Sequence, residues 1–260
     1  MNQHFGKQAL PVARELPDVR QAYAAFSALS AVARRYFAGA LGGKLLLYGE
    51  LTASGASAAI AGNVAGAATL GVDADEARLK EGIRNGICDF FVNSLDEALR
   101  ILKNEIRKAA PVSVGLEGEI ASVLAEIAER GVQPDLIGEM PASSEVIRQL
   151  MDRGAILFNP AALAGKTESA PTNRIPVAWS AEKAPAVWLP KADLLASQVL
   201  ESADDERHRW LRLAPRYLRK QTSCERYLEM TPDEVGNFES LLDMQVRDGI
   251  LGTRITLRKL

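Results

Sequence analysis

Lys44-Leu-Leu-Leu-Tyr-Gly49, followed by Ser54 to Leu70 with Ala56, Ala58, Ala59, Ala61, Gly62, Ala65, Gly66, Ala67 and Ala68, and then Thr69-Leu-Gly-Val-Asp73, is the stretch that decides the fold. The first and third pieces are short apolar runs of strand length without polar alternation, the pattern of strands covered on both faces. The middle piece is made of small residues, which let a helix lie close to a sheet. Strand, helix, strand in that order is the unit of a parallel sheet.

Further along, the same rhythm continues. Asp75 to Gly82 reads as a helix and Asp89-Phe-Phe-Val-Asn93 as a strand. Ser94 and Glu97 form a capping-box pair ahead of a helix whose Leu95, Ala98, Leu99, Leu102 and Ile106 share one face, with Arg107 and Lys108 at its negative end. Val112-Ser-Val-Gly-Leu116 is the next strand, and Glu119 to Arg130 the next helix, with Gly131 as its stop. Leu136-Ile137, a helix from about Glu145 to Arg153, and Ala155-Ile-Leu-Phe158 complete the alternation.

The expectation is an α/β chain: an N-terminal arm over 1–20, a Rossmann-like parallel sheet flanked by helices over 21–159, a linker over 160–176, and a mostly helical extension over 177–260. The linker is read from Gly165, Lys166, Thr167, Ser169, Pro171 and Asn173. Beyond it, two apolar runs, 175–179 and 186–190, precede helical stretches near 191–219 and 232–248. Thr231, Pro232, Asp233 and Glu234 mark a helix start, and Thr253 to Leu257 reads as an edge strand.

Composition sets outer limits. The chain has 260 residues, is 47% hydrophobic and 25% charged, and so has the make-up of a globular protein. Thirty-one basic against thirty-three acidic side chains leave a net charge of -2, which argues against binding nucleic acid through its backbone charge. Two cysteines, Cys88 and Cys224, and two histidines, His4 and His208, supply no metal-ligand cluster. The first thirty residues carry no continuous apolar run and no stretch approaches a membrane span, so a soluble, cytoplasmic protein without membrane contact is expected.

In a doubly wound sheet the ligand crevice lies beyond the carboxyl ends of the strands. The first such turn runs from Gly49 to Ser57, and its Gly49 and Gly55 are spaced wrongly for a dinucleotide fingerprint. Asp73, ending the second strand, stands about where an acid would grip a ribose hydroxyl. Glu50 argues against a phosphate at the mouth of this turn. An unpaired carboxylate about 4 Å from a phosphate costs about 1 kcal/mol in water and about 4 kcal/mol in a partly buried crevice. Glu50 is read either as this obstacle or as the group that fills the anion position itself.

Several segments together resemble urocanase (urocanate hydratase). They are Gly43 to Leu51, Ala65-Gly-Ala67, Val72-Asp73, Arg78, Leu95 to Leu99, Val112-Ser-Val114, Gly118 and Arg130 to Asp135. A second set comprises Ile175 to Trp179, Asp204-Asp205, His208-Arg-Trp-Leu211, Val246-Arg247 and Gly249. The resemblance covers about three quarters of the chain, and the family's enzymes are longer, so this is similar to a shortened, divergent member. It implies an NAD-type crevice with Gly55, Asp73, Arg78 and Gly118 as cofactor-binding residues. It also implies losses. Only Gly55 remains of the family's glycine-rich loop, an Asn-Ala pair is replaced by Glu119-Ile120, and a polar cofactor segment by Met140 to Ser144. The arginine expected to hold the substrate carboxylate is replaced by Ala178, and the family's cysteine by Leu228. Without a bidentate guanidinium or a thiol, no catalytic residue is assigned and urocanate hydratase activity is not expected.

Two function classes follow. One is a non-catalytic module that binds a small molecule or dinucleotide, or serves assembly, with NAD at most weakly held. The other is a hydro-lyase of the urocanase type, dependent on NAD or another nucleotide and acting on a different small molecule. A homodimer is expected, because losing part of the longer enzyme leaves apolar surface to cover. The arginine-rich segment 207–226 is read as the solvated face of a helix with Trp210, Leu213 and Tyr217 as its apolar stripe, or as a docking face for an acidic protein partner. Cys88, His208, Trp179 and Trp188 are read as packing residues. Cys224, beside Lys220 and Arg226, is read as a plain thiol, with a displaced reactive cysteine as the alternative.

Overall fold

The computed structural model describes residues 18–138, 140, 144–159, 173–218 and 225–260. Most of the N-terminal arm and linker, most of the segment Met140 to Ser144, and Cys224 lie outside the described residues.

The first element is a helix, α1 (Val19–Tyr36), not anticipated from the sequence. Asp18 caps it, its carboxylate accepting from the Arg20 amide, and Ala22, Phe26, Leu29 and Ala33 form its buried stripe. Strand β1 (Leu45–Tyr48) follows, then α2 (Ala53–Ala65) and β2 (Ala68–Asp73). Next come α3 (Glu76–Asn85), β3 (Phe90–Val92), α4 (Leu95–Arg107), β4 (Val112–Glu117), α5 (Ile120–Glu129), β5 (Leu136–Ile137), α6 (Ser144–Asp152) and β6 (Ile156–Leu157). The six strands form one parallel sheet in the order β3-β4-β2-β1-β5-β6. The Rossmann-like α/β expectation is met.

Alternate residues of β1 feed two cores. Leu46 and Tyr48 face α1 and α2, while Leu45 and Leu47 join Leu99, Leu102, Leu124 and Ile127 of α4 and α5. Helix α2 explains its own composition. It lies against β1 and β2 on one side and α1 on the other, and every residue from Gly55 to Ala65 is buried. Gly62 sits where a Cβ would come within 2.5 Å of the Thr69 side chain, so a larger residue would force the helix off the sheet. Gly66, at φ 97°, ends the helix in the left-handed region. Ser94 caps α4 by accepting from the Glu97 amide, the first half of the expected capping box.

The extension is largely helical, and it also contains a sheet. Strand β7 (Ile175–Ala181) lies antiparallel between β8 (Glu225–Met230) and β9 (Ile255–Lys259). The linker therefore ends two residues earlier than expected, because Ile175 and Pro176 already pair with β8. The helices are α7 (Pro185–Val199), α8 (Asp205–Tyr217) and α9 (Pro232–Arg247). Residues 186–190 belong to α7 rather than preceding the helices, with Pro185 at its first turn. The helical stretch expected near 191–219 is, over its described residues, two helices, broken after Leu200 and restarted by Asp204, whose side chain accepts from the Arg207 amide. Thr231 and Glu234 complete the capping box of α9. The core on the α1 side of the large sheet continues into Trp179, Leu189, Trp210, Leu228 and Phe238 of the extension.

Among the described residues, no helix is long and apolar enough to cross a membrane, and no group of three metal-ligating side chains gathers.

Candidate functional site

The chain reverses direction across the large sheet at β1, which has β2 on one side and β5 on the other. Such a switch point opens the crevice where ligands bind in doubly wound folds. Its rim consists of the turn from Gly49 to Thr52, the residues after Asp73, and Gly118 after β4.

Asp73 is fully buried, and both of its oxygens are occupied. Oδ2 accepts from the Leu51 amide at 2.9 Å and from Arg78 Nε at 2.8 Å. Oδ1 accepts from the Asp75 amide at 2.8 Å and from Arg78 Nη2 at 2.7 Å. Burial pushes this carboxyl up, but the bonds from Arg78 and the two amides outweigh it and hold it below its ordinary range. Its main-chain carbonyl accepts from the Gly118 amide at 3.1 Å, which ties the end of β4 to β2. Arg78 in turn lies 3.5 Å from Asp75 and 3.7 Å from Glu50. The four residues predicted for the cofactor are thus gathered at one end of the sheet, with Asp73 and Arg78 turned toward each other.

Gly55 has a local explanation as well. A Cβ there would lie 1.9 Å from the Glu50 carbonyl oxygen. The space that a phosphate-loop glycine leaves for a pyrophosphate is taken here by the turn's own backbone. Glu50 is not an unpaired obstacle, since its carboxylate lies 3.7 Å from Arg78 Nη2, with its side chain 41% exposed. Glu119 stands at the start of α5 without forming a cap bond. These residues do not fit a dinucleotide: the acid that would meet a ribose has its bonding positions filled, and the glycine gap is closed.

Ala178 and Leu228 occupy adjacent strands. In the β7–β8 ladder Ala178 pairs with Tyr227, and Leu228 with Val177. Both are completely buried, and Leu228 belongs to the apolar core.

Other predicted residues fall as follows. Cys88 is buried, and burial pushes its thiol up to about 12, so it is not a reactive thiolate. Trp179 is enclosed, donates from Nε1 to Asp193 at 3.1 Å and meets the Phe238 ring edge-on. Trp188 carries the Lys191 ammonium 4.4 Å from its ring centre and packs against Gly252. The described arginines of 207–226 do not share a solvated face. Arg207 is buried, Arg209 donates to the Ala65 carbonyl, and Arg226 pairs with Asp193, while Arg212 and Arg216 are exposed. Trp210 and Tyr217 are buried, as the apolar stripe requires.

Sequence reading missed the centre of the extension. Arg207 donates to Asp204, to both oxygens of Glu234 and to the Glu229 carbonyl, and Arg174 joins at Asp204. The only local signal was Asp204 three residues before Arg207. Two cavities lie away from the crevice. One, of about 450 Å³, is bounded by Tyr23, Arg34, Arg174, Glu206 and Glu229. The other, of about 850 Å³, separates α7 from α8.

A family model described as the Urocanase Rossmann-like domain matches residues 23–159, just over half of the chain.

Proposed function

Because the chain belongs to the urocanase family, we propose that it retains the family's Rossmann-like scaffold without urocanate hydratase chemistry and works as a ligand-binding or assembly protein. The observation that carries this reading is the pair Ala178 and Leu228. Where the resemblance implies an arginine and a cysteine stand two fully buried apolar side chains on opposite faces of the small sheet, Ala178 opposite Tyr227 and Leu228 opposite Val177. A guanidinium at the fully buried Ala178 position would need a buried counter-ion, and Leu228 has no proton to give or take.

The crevice supports the same reading. To meet a ribose, Asp73 would have to give up bonds to Leu51, Asp75 or Arg78 that the fold already supplies. NAD binding is therefore expected to be weak or absent, and Gly55, Asp73, Arg78 and Gly118 serve the scaffold first. A homodimer in the cytoplasm belongs to this proposal; sedimentation as a clean monomer at micromolar concentration would count against the assembly part.

The decisive experiment follows the ultraviolet absorbance of urocanate in the presence of purified protein, with and without added NAD, alongside calorimetric titration with NAD. No decay of absorbance and no saturable heat are expected. Turnover above background, or NAD that stays with the protein through purification, would overturn the proposal.

A further inference from the structure

The cavity between α7 and α8 contains a pair of side chains that the crevice does not explain. Ser197 lies in the last turn of α7 and His208 in the first turn of α8, with Ser197 Oγ 2.7 Å from His208 Nδ1. On the other side of the ring, His208 Nε2 lies 3.1 Å from the Glu201 carbonyl oxygen. A carbonyl only accepts, so in the neutral ring the proton sits on Nε2 and Nδ1 offers its lone pair. Ser197 must then be the donor in the serine–histidine bond. Hydroxyl, ring nitrogen and orienting acceptor stand in the order that activates a serine.

The surroundings define a substrate. Leu194, Leu200 and Leu211 give the cavity apolar walls, and Leu194 is 66% exposed. Arg212, four residues after His208 and so on the same helical face, supplies an exposed cation in the wall.

We propose that Ser197 is the nucleophile of an acyl-transfer site, with His208 as its general base, for small activated esters carrying an uncharged apolar acyl group. Ser197 Oγ bonds to the ester carbonyl carbon as its proton passes to His208 Nδ1. Arg212 meets the charge that develops on the carbonyl oxygen. The ester C–O bond then breaks, and His208 returns the proton to the leaving alkoxide. Water releases the acyl group from Ser197 by the same proton route in reverse order of partners, regenerating the hydroxyl and giving a carboxylic acid. The site shares no residue with the crevice and is independent of the loss of hydratase chemistry.

The test is covalent labelling of the full chain with an alkyl fluorophosphonate, whose phosphorus takes the Ser197 oxygen as fluoride leaves, followed by peptide mass spectrometry. One adduct on Ser197 is expected in the native protein, none after unfolding in urea, and the labelled protein should lose its hydrolysis of p-nitrophenyl butyrate. H208Q, if it keeps the native circular dichroism, should label at least tenfold more slowly. The proposal is overturned if Ser197 remains unmodified in the native protein, if it labels equally in urea, or if folded H208Q labels at the native rate. Because the wild-type comparison in urea needs no variant, a failure of H208Q to fold leaves the test intact.

Discussion

Two arginine–carboxylate clusters among the described residues differ in how much of each arginine meets water. In the extension, the Arg207 side chain is 2% exposed and its donors are shared among Asp204, Glu234 and the Glu229 carbonyl. At the sheet end, Arg78 closes over Asp73 with one side, keeps 28% of its side chain exposed, and has Glu50 beyond it at 3.7 Å. The closed cluster is a structural centre whose arginine is enclosed by its own partners. The open one lies at the ligand position of its fold class with its inner half committed to the fold and its outer edge facing Asp75 and Glu50. A crevice can thus retain an acid and an arginine at the expected spacing while their chemistry is turned inward.

The largest effect should come from the closed cluster. R207A leaves Glu234 and Asp204 without their main cation in a buried setting and should cost about 3–5 kcal/mol, read as a lower midpoint in urea unfolding. A loss below about 1 kcal/mol would place both clusters in the same class.

D73N comes next, at about 1.5–3 kcal/mol near neutral pH, since charge-assisted bonds to Arg78 are weakened. Its pH dependence is specific. The folded carboxyl of Asp73 lies below its ordinary value of 3.8, so its stabilisation is present above that value and is lost as pH falls through the folded one. The stability gap between wild type and D73N should therefore shrink as pH drops below about 4. A gap constant down to pH 2 would mean that the Asp73 charge adds nothing.

G55A puts a methyl against the Glu50 carbonyl and should cost about 1–3 kcal/mol through backbone displacement in the turn. If thermal unfolding is unchanged, that turn has room that a ligand could use, and the contrast between closed and open clusters sharpens. The smallest effect belongs to E50Q. An exposed pair at this separation is worth about 0–0.5 kcal/mol, and chemical denaturation should barely distinguish the variant from wild type.

The parallel sheet could be read strand by strand because its runs are short and largely apolar and are separated by segments of helix length, two of them capped by Asp75 and Ser94. Helix α1 was not anticipated: Asp18 and the spacing Ala22, Phe26, Leu29, Ala33 are a cap and a stripe, but the alanines weaken the apolar contrast. Residues 186–190 misled because a run of five apolar residues carries no period of its own, and Pro185 at a first helical turn resembles a boundary. The convergence of Gly55, Asp73 and Arg78 could be anticipated from their order after β1 and β2. What the sequence does not display is the pair of main-chain donors, Leu51 and Asp75, that fill Asp73's lone pairs. The Ser197–His208 contact is hidden for a related reason, since it depends on how two helices meet across the break at Leu200 to Asp204.

The burial of α2 has a consequence for synthesis on the ribosome. Besides the sheet and α1, α2 is covered by α8, and Arg209 of α8 bonds the carbonyl of Ala65 at the end of α2. Helix α8 is translated roughly 150 residues after α2, which at about 5–20 residues per second is on the order of ten seconds. Throughout that interval the nascent parallel sheet carries its most alanine-rich helix partly uncovered. The N-terminal half has to wait for the C-terminal half before its own centre can close.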